Sequence, residues 1–418
     1  MNTLTLKTKL SRKHIGIGRQ HIYLLVEITA KDAPANNKRL PLNLGFVLDR
    51  SGSMTGEKLD FTKQAVRYAI DHLTPEDKAS VTVYDQDVQV LFEAGPVKYK
   101  DGLKNAVAQV YPGGSTNLSG GLIQGFRQVS ENLVNGQVDR VLLLTDGLAN
   151  VGITDPAVLS AKAASMRESG VAVTTLGVGD DFDEDLLTAI AESSGGNYYY
   201  IDSPERIPEI FSSELKELLS VVAQNVQVSF ACADSVNVSK VWGYKPEGYR
   251  KMTIGLPDVF ASDRKALMLE LEVTPGEKGA AKLGTISLAY DDAGGKMERV
   301  SCSIDLEVSR TADKELLDQP EEPEVMIQLE LSKAAEDREE ALHLADKGDM
   351  ESASGTIQAS IDSIKYCLAM SDEDMSPIVA EEIDKLTKSK AMLQNGRYDK
   401  RARKEIAFQS YQSRNARK

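Results

Sequence analysis

The sequence predicts an α/β domain with a doubly wound, mostly parallel sheet, inserted in a discontinuous β-sandwich and followed by a C-terminal α-helical region. Three observations predict this fold class. Short apolar runs alternate with helical patterns between residues 41 and 219, strict apolar-polar alternation follows between 223 and 309, and helical periodicity returns after 324. The first pattern is typical of parallel strands covered by helices, and the second is typical of strands with one solvent-facing side.

The first part of the chain carries two strand-like segments, TLTLKTKL and HIYLLVEITA, which the α/β pattern does not need. We therefore expect residues 1–38 to pair with strands of 223–310 and to complete one sandwich with them. The α/β domain, 39–222, is then an insertion. Its two connections, near 31–40 and 220–223, are expected to lie side by side.

The α/β domain is predicted to contain a strand in each of five apolar runs: LNLGFVL, ASVTVYD, RVLLLTDG, VAVTTLGVG and NYYYI. Runs that are almost continuously apolar indicate strands buried on both faces. Amphipathic helices are predicted at Lys58–Leu73, Leu118–Leu133, Ala157–Ser169, Glu184–Ser193 and Ile207–Leu219. The run VQVLFEAGPV follows YDQD directly, which predicts one antiparallel edge hairpin.

The last part of the chain, 311–418, is predicted to be a polar linker and a helical region. Helices are expected near 325–347, 350–370 and 376–394, with Gly348 and Asp349 as a stop and N-cap pair. The tail from Lys385 carries eleven Lys or Arg residues and only two acidic residues. We interpret it as a solvated helical face and a mobile tail rather than a nucleic-acid-binding patch, because aromatic residues are few.

Composition and charge argue against several functional classes. The net charge of −14 and the pI near 5.0 disfavour a general binder of nucleic acids or membrane surfaces, because phosphate-rich partners require a basic footprint. No apolar segment begins the chain or is long enough to cross a membrane, so we expect a cytoplasmic protein. Three scattered cysteines and four scattered histidines predict neither a disulfide framework nor a zinc site.

Three loops at one edge of the predicted sheet carry oxygen-bearing side chains. Asp49, Ser51 and Ser53 follow the first strand, Thr116 precedes a helix, and Asp146 follows RVLLLT. Because ligands bind beyond the carboxyl ends of the strands in doubly wound sheets, we expect these loops to converge. Hydroxyls and carboxylates without sulfur or imidazole suit a hard cation such as Mg²⁺, with Mn²⁺ or Ca²⁺ as alternatives. Because only Asp49 and Asp146 are charged, the bound ion would be no more than neutralised. Its sixth coordination position would be open to an incoming carboxylate.

The motifs DRSGSM, GGSTNLSGGL and LLLTDG resemble, in this order, the three loops of the metal-ion-dependent adhesion site of von Willebrand factor A (VWA) domains, which are Rossmann-like. The resemblance covers about 41–219. It implies that the metal ligands are Asp49, Ser51, Ser53, Thr116 and Asp146, the hydroxyls directly and the aspartates directly or through water. DRSGSM alone would be weak evidence, because such strings often form turns; the three motifs together support the assignment.

The inserted arrangement is similar to that of integrin β subunits and inter-alpha-trypsin inhibitor heavy chains. Without a signal segment, this chain more closely resembles bacterial cytoplasmic VWA proteins, which often work beside MoxR-type AAA+ ATPases. The resemblance implies a non-enzymatic adaptor that binds an Asp or Glu of a partner protein through the metal, with no nucleic acid and no membrane. Two alternatives stay open: a metal-dependent hydrolase, and a homo-oligomer assembled through an acidic residue of 311–384.

Other signals have simpler interpretations. The acidic run Asp181–Asp185 lacks the glycine and the bidentate glutamate of an EF-hand loop, so we interpret it as an acidic helix N-terminus. Arg50 is expected either beside the metal or pointing away from it. No histidine, lysine or further carboxylate lies in the three loops, which argues against a positioned base for hydrolysis.

Overall fold

The computed structural model describes residues 3–32, 39–293, 297–369, 376–394 and 398–414. Three regions are present: a β-sandwich, an α/β domain inserted in it, and a C-terminal helical region. The predicted fold class is confirmed, including the mixed, mostly parallel sheet of the α/β domain. None of the helices in these ranges is long and apolar enough to span a lipid bilayer.

The chain begins with three strands of the sandwich: β1 (Leu4–Leu10), β2 (His14–Ile15) and β3 (Gln20–Ala30). β1 and β3 pair antiparallel. The side chains of Ile22, Leu24 and Val26 on β3 are fully buried in the sandwich core. Leu25 faces the other way and is also fully buried, because the C-terminal helical region covers that side of the sheet.

The α/β domain alternates strands and helices. In chain order they are β4 (Leu42–Asp49), α1 (Glu57–His72), β5 (Lys78–Tyr84), β6 (Val88–Pro96), α2 (Lys100–Ala108), α3 (Leu118–Ser130), β7 (Val138–Thr145), α4 (Pro156–Glu168), β8 (Ala172–Val178), α5 (Glu184–Ser194), β9 (Tyr198–Ile201) and α6 (Ile207–Leu219). The sheet order is β6-β5-β4-β7-β8-β9. All neighbours are parallel except β5 and β6, which form the predicted antiparallel hairpin. The strand order reverses at β4, so its carboxyl end is the topological switch point.

Burial on both faces explains why the central strands read as apolar runs. Every residue of β4 and of β7 is buried. One face packs against α1 and α6, and the other packs against α3, α4 and α5. Local signals set the helix ends: Asp155 accepts hydrogen bonds from the first N–H groups of α4, and Gly195 ends α5 with a left-handed φ of 78°.

The chain re-enters the sandwich directly after α6. The remaining strands are β10 (Val221–Cys232), β11 (Val236–Val241), β12 (Lys251–Gly255), β13 (Val259–Phe260), β14 (Arg264–Val273), β15 (Gly279–Asp292) and β16 (Glu298–Arg310). One sheet has the order β1-β3-β14-β11 and the other β12-β10-β15-β16-β2, with β13 beside β10. The antiparallel pairing of β3 with β14 joins the two separated parts of the chain, so the sandwich is discontinuous as predicted.

The two connections to the inserted domain meet at the turn before β14. The carbonyl of Lys31 accepts a hydrogen bond from the N–H of Ser262 at 3.3 Å, and the carbonyl of Ser220 accepts one from Ala261 at 2.8 Å. The described ends of the connections therefore lie side by side. Residues 33–38, part of the predicted first connection, lie outside the described ranges.

The C-terminal region contains α7 (Lys314–Leu317), α8 (Pro323–Asp346), α9 (Met350–Leu368), α10 (Ser376–Leu393) and α11 (Lys400–Arg414). The predicted stop and N-cap pair is confirmed, since Gly348 has a φ of 85° and the Asp349 carboxylate accepts from the N–H of Ser352 at 3.0 Å. Val325 and Leu329 of α8 pack against Leu25, Trp242 and Met268 of the sandwich.

The interpretation of the basic tail as mobile is wrong for residues 400–414, which form α11 and pack on the α/β domain. The rings of Phe408 and Tyr411 lie edge to face on Tyr198 of β9, at 5.9 and 5.7 Å between centroids. Lys404 is only 3% exposed. The sheet edge formed by β9 is therefore covered by a helix whose basic residues meet acidic residues of the α/β domain. Residues 415–418 lie outside the described ranges.

Candidate metal site

The three predicted loops meet beyond the carboxyl end of β4, where backbone hydrogen bonds join them. The N–H of Gly52 donates to the carbonyl of Gly114 at 2.8 Å, and the N–H of Gly113 donates to the carbonyl of Arg50 at 2.6 Å. The third loop joins the second through Asn150, whose N–H donates to the carbonyl of Thr116 at 3.1 Å. The local chain paths are thus set by main-chain contacts.

The oxygen atoms of the first and third loops form one connected group. Ser51 Oγ lies 3.1 Å from Ser53 Oγ, and the Ser53 hydroxyl donates to Asp146 Oδ1 at 2.8 Å. Asp49 Oδ1 accepts from the N–H of Ser51 at 2.7 Å, and its Oδ2 accepts from the Thr145 hydroxyl at 2.6 Å. Four of the five predicted site residues are therefore linked directly.

Thr116 reaches the same place from the second loop, where Gly147 leaves room for it. A Cβ on Gly147 would lie 3.2 Å from Thr116 Oγ1 and 3.2 Å from Asp49 Oδ2. Because contacts this short are tighter than most real Cβ contacts, a side chain there would crowd both oxygens. The structure thus brings together all five residues that the sequence singled out.

The electrostatic environment disfavours two ionised carboxylates without a cation. Burial raises the pKa of Asp49, hydrogen bonds from Thr145 and Ser51 lower it in part, and the nearby carboxylate of Asp146 raises it further. The side chain of Asp146 is fully buried. A positive charge at this position would therefore stabilise the group.

One such charge comes from Lys58, a residue that the sequence analysis missed. Its ammonium Nζ lies 2.6 Å from Asp146 Oδ2 and 3.2 Å from Asp181 Oδ2. Lys58 belongs to the first turn of α1 and not to any of the three loops. A usable signal was present, because side chains of a helix tilt toward its N-terminus and those of a first turn point back at the preceding loop.

Two neighbouring signals also have defined contacts. Arg50 points toward Asp85, with Nε 3.5 Å from Oδ2 of that carboxylate. In the acidic run, Asp183 caps α5 by accepting from the N–H of Leu186 at 2.9 Å. The interpretation of this run as an acidic helix N-terminus is confirmed.

The residues of this site fit a hard divalent cation. Neighbouring ligand oxygens of an octahedral Mg²⁺ lie about 3.0 Å apart when the metal-oxygen bonds are about 2.1 Å. The Ser51–Ser53 and Ser53–Asp146 separations, 3.1 and 2.8 Å, match that spacing. The donor set of hydroxyls and carboxylates has the chemical character that Mg²⁺, Mn²⁺ and Ca²⁺ prefer.

The fold and the site define a class: a doubly wound α/β domain with oxygen-rich loops at its switch point, carried on a β-sandwich. The family model described as von Willebrand factor type A domain matches residues 43–213. This segment, which contains β4 to β9 and all five site residues, is therefore a VWA domain.

Two bacterial relatives extend the similarity beyond that domain. The uncharacterized protein YfbK of Escherichia coli (strain K12) is 32% identical over 235 residues, which cover 56% of this chain and 40% of that protein. The uncharacterized protein sll0103 of Synechocystis sp. is 28% identical over 297 residues, which cover 68% of this chain and 70% of that protein. The match thus spans less than half the length of YfbK.

A solved structure is similar over almost the whole chain. The structure described as von Willebrand factor type A from Catenulispora acidiphila has a TM-score of 0.76 at 19% identity, covering 97% of this chain and 96% of that chain. The likeness shows that the sandwich, the inserted domain and the helical region occur together in another protein.

Proposed function

We propose that this protein is a non-enzymatic protein-binding module that captures an Asp or Glu side chain of a partner through Mg²⁺. The proposed ligands are Asp49, Ser51, Ser53, Thr116 and Asp146, with Mn²⁺ or Ca²⁺ as alternative ions. The observation that carries the proposal is the connected group of oxygens from Ser51 through Ser53 to Asp146, at 3.1 and 2.8 Å. When bound, the ion supplies an electrostatic attachment point for an anion.

The charges around the site support capture of an anion. Asp49 and Asp146 together carry two negative charges, and Lys58 contributes one positive charge next to Asp146. A divalent cation would neutralise these two carboxylates, while the charge of Lys58 is shared with Asp181, whose Oδ2 lies 3.2 Å from Nζ. An incoming carboxylate would then complete the oxygen coordination that hard cations require.

The rim of the site supports a protein as the source of that carboxylate. Tyr111, on the second loop, is 71% exposed, and Leu148, on the third loop, is 58% exposed. Exposed large apolar side chains beside a charged centre are typical of protein-protein interfaces, in which aromatic and aliphatic anchors surround a few specific polar contacts. We therefore propose a partner segment with an acidic residue flanked by apolar residues.

The contacts of the site favour binding over hydrolysis. Within the part of the chain that the structure describes, the carboxylates of Asp49 and Asp146 receive hydrogen bonds from hydroxyls, a backbone N–H and Lys58. Hydrolysis needs a base positioned on a water molecule; Lys58 is paired with Asp146 and Asp181, and the two carboxylates are proposed metal ligands, so these groups already have other roles. The resemblance to bacterial VWA proteins suggests a cytoplasmic adaptor and a MoxR-type AAA+ ATPase as the partner.

The proposal is tested first by calorimetry of Mg²⁺ and Mn²⁺ uptake by the full chain, and then by capture of partners from a native lysate with Mg²⁺ or EDTA. We expect metal uptake and Mg²⁺-dependent capture by the wild type, both lost with Asp49→Ala. Asp101→Ala is the matched control, because that carboxylate is 93% exposed on α2. No metal uptake, or the same captured proteins with EDTA and with Mg²⁺, would contradict the proposal.

Two further assays separate the alternatives. Turnover in a phosphatase and protease panel with Mn²⁺, abolished by Asp49→Ala, would establish a hydrolase instead. A chelator-sensitive oligomer in sedimentation experiments would instead indicate self-assembly through an acidic residue of 311–384.

A further inference from the structure

Lys58 provides a positive charge at the position where the proposed metal would act. Its ammonium lies 2.6 Å from Asp146 Oδ2, and only 24% of its side chain is exposed. The aliphatic stem passes close to Gly179, since a Cβ there would lie 2.8 Å from Lys58 Cε. The φ of Gly179 is +73°, a backbone conformation that favours glycine, and the lack of a side chain leaves space for the lysine.

We propose that Lys58 is an internal counter-ion of Asp146 that competes with the divalent cation and thereby sets the metal affinity of the site. The inference rests on the proposed function, because it concerns the same ion. In the absence of metal, the lysine compensates the buried carboxylate of Asp146. When the ion binds, the two positive charges repel each other, and part of the metal's binding free energy is used to move or to tolerate the ammonium.

Asp181 offers the ammonium a second position. Lys58 Nζ is 3.2 Å from Asp181 Oδ2, while Oδ1 of the same carboxylate accepts from Lys400 Nζ of α11 at 3.0 Å. A lysine that leaves Asp146 can therefore stay paired with Asp181. Because Asp181 favours this displaced position, it should assist metal binding, whereas Lys58 should oppose it.

These opposite signs distinguish competition from a merely structural role. If Lys58 only anchored α1, its removal would destabilise the first turn and would leave metal affinity unchanged or lower. Competition predicts the reverse: removal of the positive charge raises the affinity. A charge next to a partly buried ion changes its affinity by about tenfold or more, since each factor of ten requires only about 1.4 kcal/mol.

The experiment is calorimetric titration of Mn²⁺ and of Mg²⁺ into the full chain and its variants. We expect Lys58→Gln to bind about tenfold more tightly than the wild type and Lys58→Arg to stay within about twofold of it. Lys104→Gln is the matched control, because Lys104 forms a surface ion pair with Asp71 at 2.8 Å and should leave affinity unchanged.

Asp181→Asn supplies the test of opposite sign. We expect about threefold weaker binding from this variant, and a smaller effect when it is combined with Lys58→Gln. The double variant separates the action of Asp181 through the lysine from its direct attraction for the ion. Thermal unfolding gives a second readout, because Mn²⁺ should stabilise Lys58→Gln more than it stabilises the wild type.

The outcomes separate the two proposals. A wild type that binds no metal would overturn the proposed function and this inference together. A wild type that binds metal while Lys58→Gln binds equally or more weakly would overturn the inference alone. If Lys58→Gln does not fold, Lys58→Met, which keeps the aliphatic stem, takes its place: tighter metal binding supports competition, and equal or weaker binding contradicts it. Unchanged or tighter binding by Asp181→Asn also contradicts it.

Discussion

A buried ion pair holds α11 on the α/β domain, and Lys404→Met should release the helix locally. Lys404 is 3% exposed, and its ammonium contacts the Glu184 carboxylate, the carbonyl of Phe182 at 2.6 Å and the Phe182 ring at 4.0 Å from the centroid. Methionine preserves most of the apolar stem and removes the charge. In the described part of the chain, the Glu184 carboxylate forms ion pairs with Lys404 and Arg403. Glu184 is 5% exposed, and in the variant only Arg403 would compensate its charge.

The magnitude follows from that geometry. Removal of one partner of a buried ion pair lowers the free energy of unfolding by about 3–5 kcal/mol. Because Glu184 keeps its contact with Arg403, we expect a loss of about 3 kcal/mol here. Burial would raise the pKa of Glu184, but hydrogen bonds from Lys404 and Arg403 hold it below its usual value. The pair is therefore stabilising near neutral pH, and its contribution is lost as the pH falls through this lowered pKa.

Native-state hydrogen exchange of the α11 amides is the suitable assay, because a multidomain chain need not unfold in one transition. A loss of about 3 kcal/mol corresponds to protection that is about a hundredfold lower. Lys388→Met is the matched control: its ion pair with Asp384, at 2.7 Å, is about 60% exposed on both sides and should contribute little to stability. Equal protection of α11 in the wild type and in Lys404→Met would refute the reasoning.

Three further predictions concern other positions. Gly147→Ala places a methyl group 3.1 Å from Thr116 Cγ2 and is expected to weaken Mn²⁺ uptake more than about tenfold in calorimetry, with circular dichroism unchanged. Leu148→Ser should weaken Mg²⁺-dependent partner binding about tenfold without altering metal uptake; equal partner affinity would exclude it from the interface. Burial raises the pKa of Asp139 to about 6, so its contribution to stability is present below about pH 4 and is lost as the pH rises through about 6. In urea unfolding, the free energy of unfolding of Asp139→Asn relative to that of the wild type should increase by up to about 3 kcal/mol as the pH rises over that range. A difference between the two proteins that does not change with pH would contradict the pKa shift.

The parts that could be predicted from sequence share a local cause. β4 and β7 are buried on both faces, so their apolar runs are continuous and easily found. The convergence of the site residues followed from topology, since parallel strands bring the loops at their carboxyl ends to one edge of the sheet. The cap at Asp155 and the turn at Gly348 are likewise encoded by single residues.

The parts that were missed depend on contacts between distant segments. α11 reads as a basic tail because its partners, such as Glu184, lie about 220 residues earlier in the chain. The packing of Phe408 and Tyr411 on Tyr198 has no sequence signal of its own. Lys58 was passed over because the motif comparison considered the loops, whereas its ammonium enters the site from the neighbouring helix.

The helical region contacts both the sandwich and the inserted α/β domain, and these two regions also contact each other. The sandwich meets the inserted domain where Asp258 pairs with the buried Arg140 at 2.8 Å, and α8 lies on the sandwich through Val325 and Leu329. The third contact is between α11 and α5 of the inserted domain, where Lys404 pairs with Glu184. A linear string of domains can bend at each junction, but a triangle cannot change one angle without straining the other two. Force applied by a bound partner would therefore be distributed over all three regions, and the molecule should respond as a stiff frame rather than as a hinge.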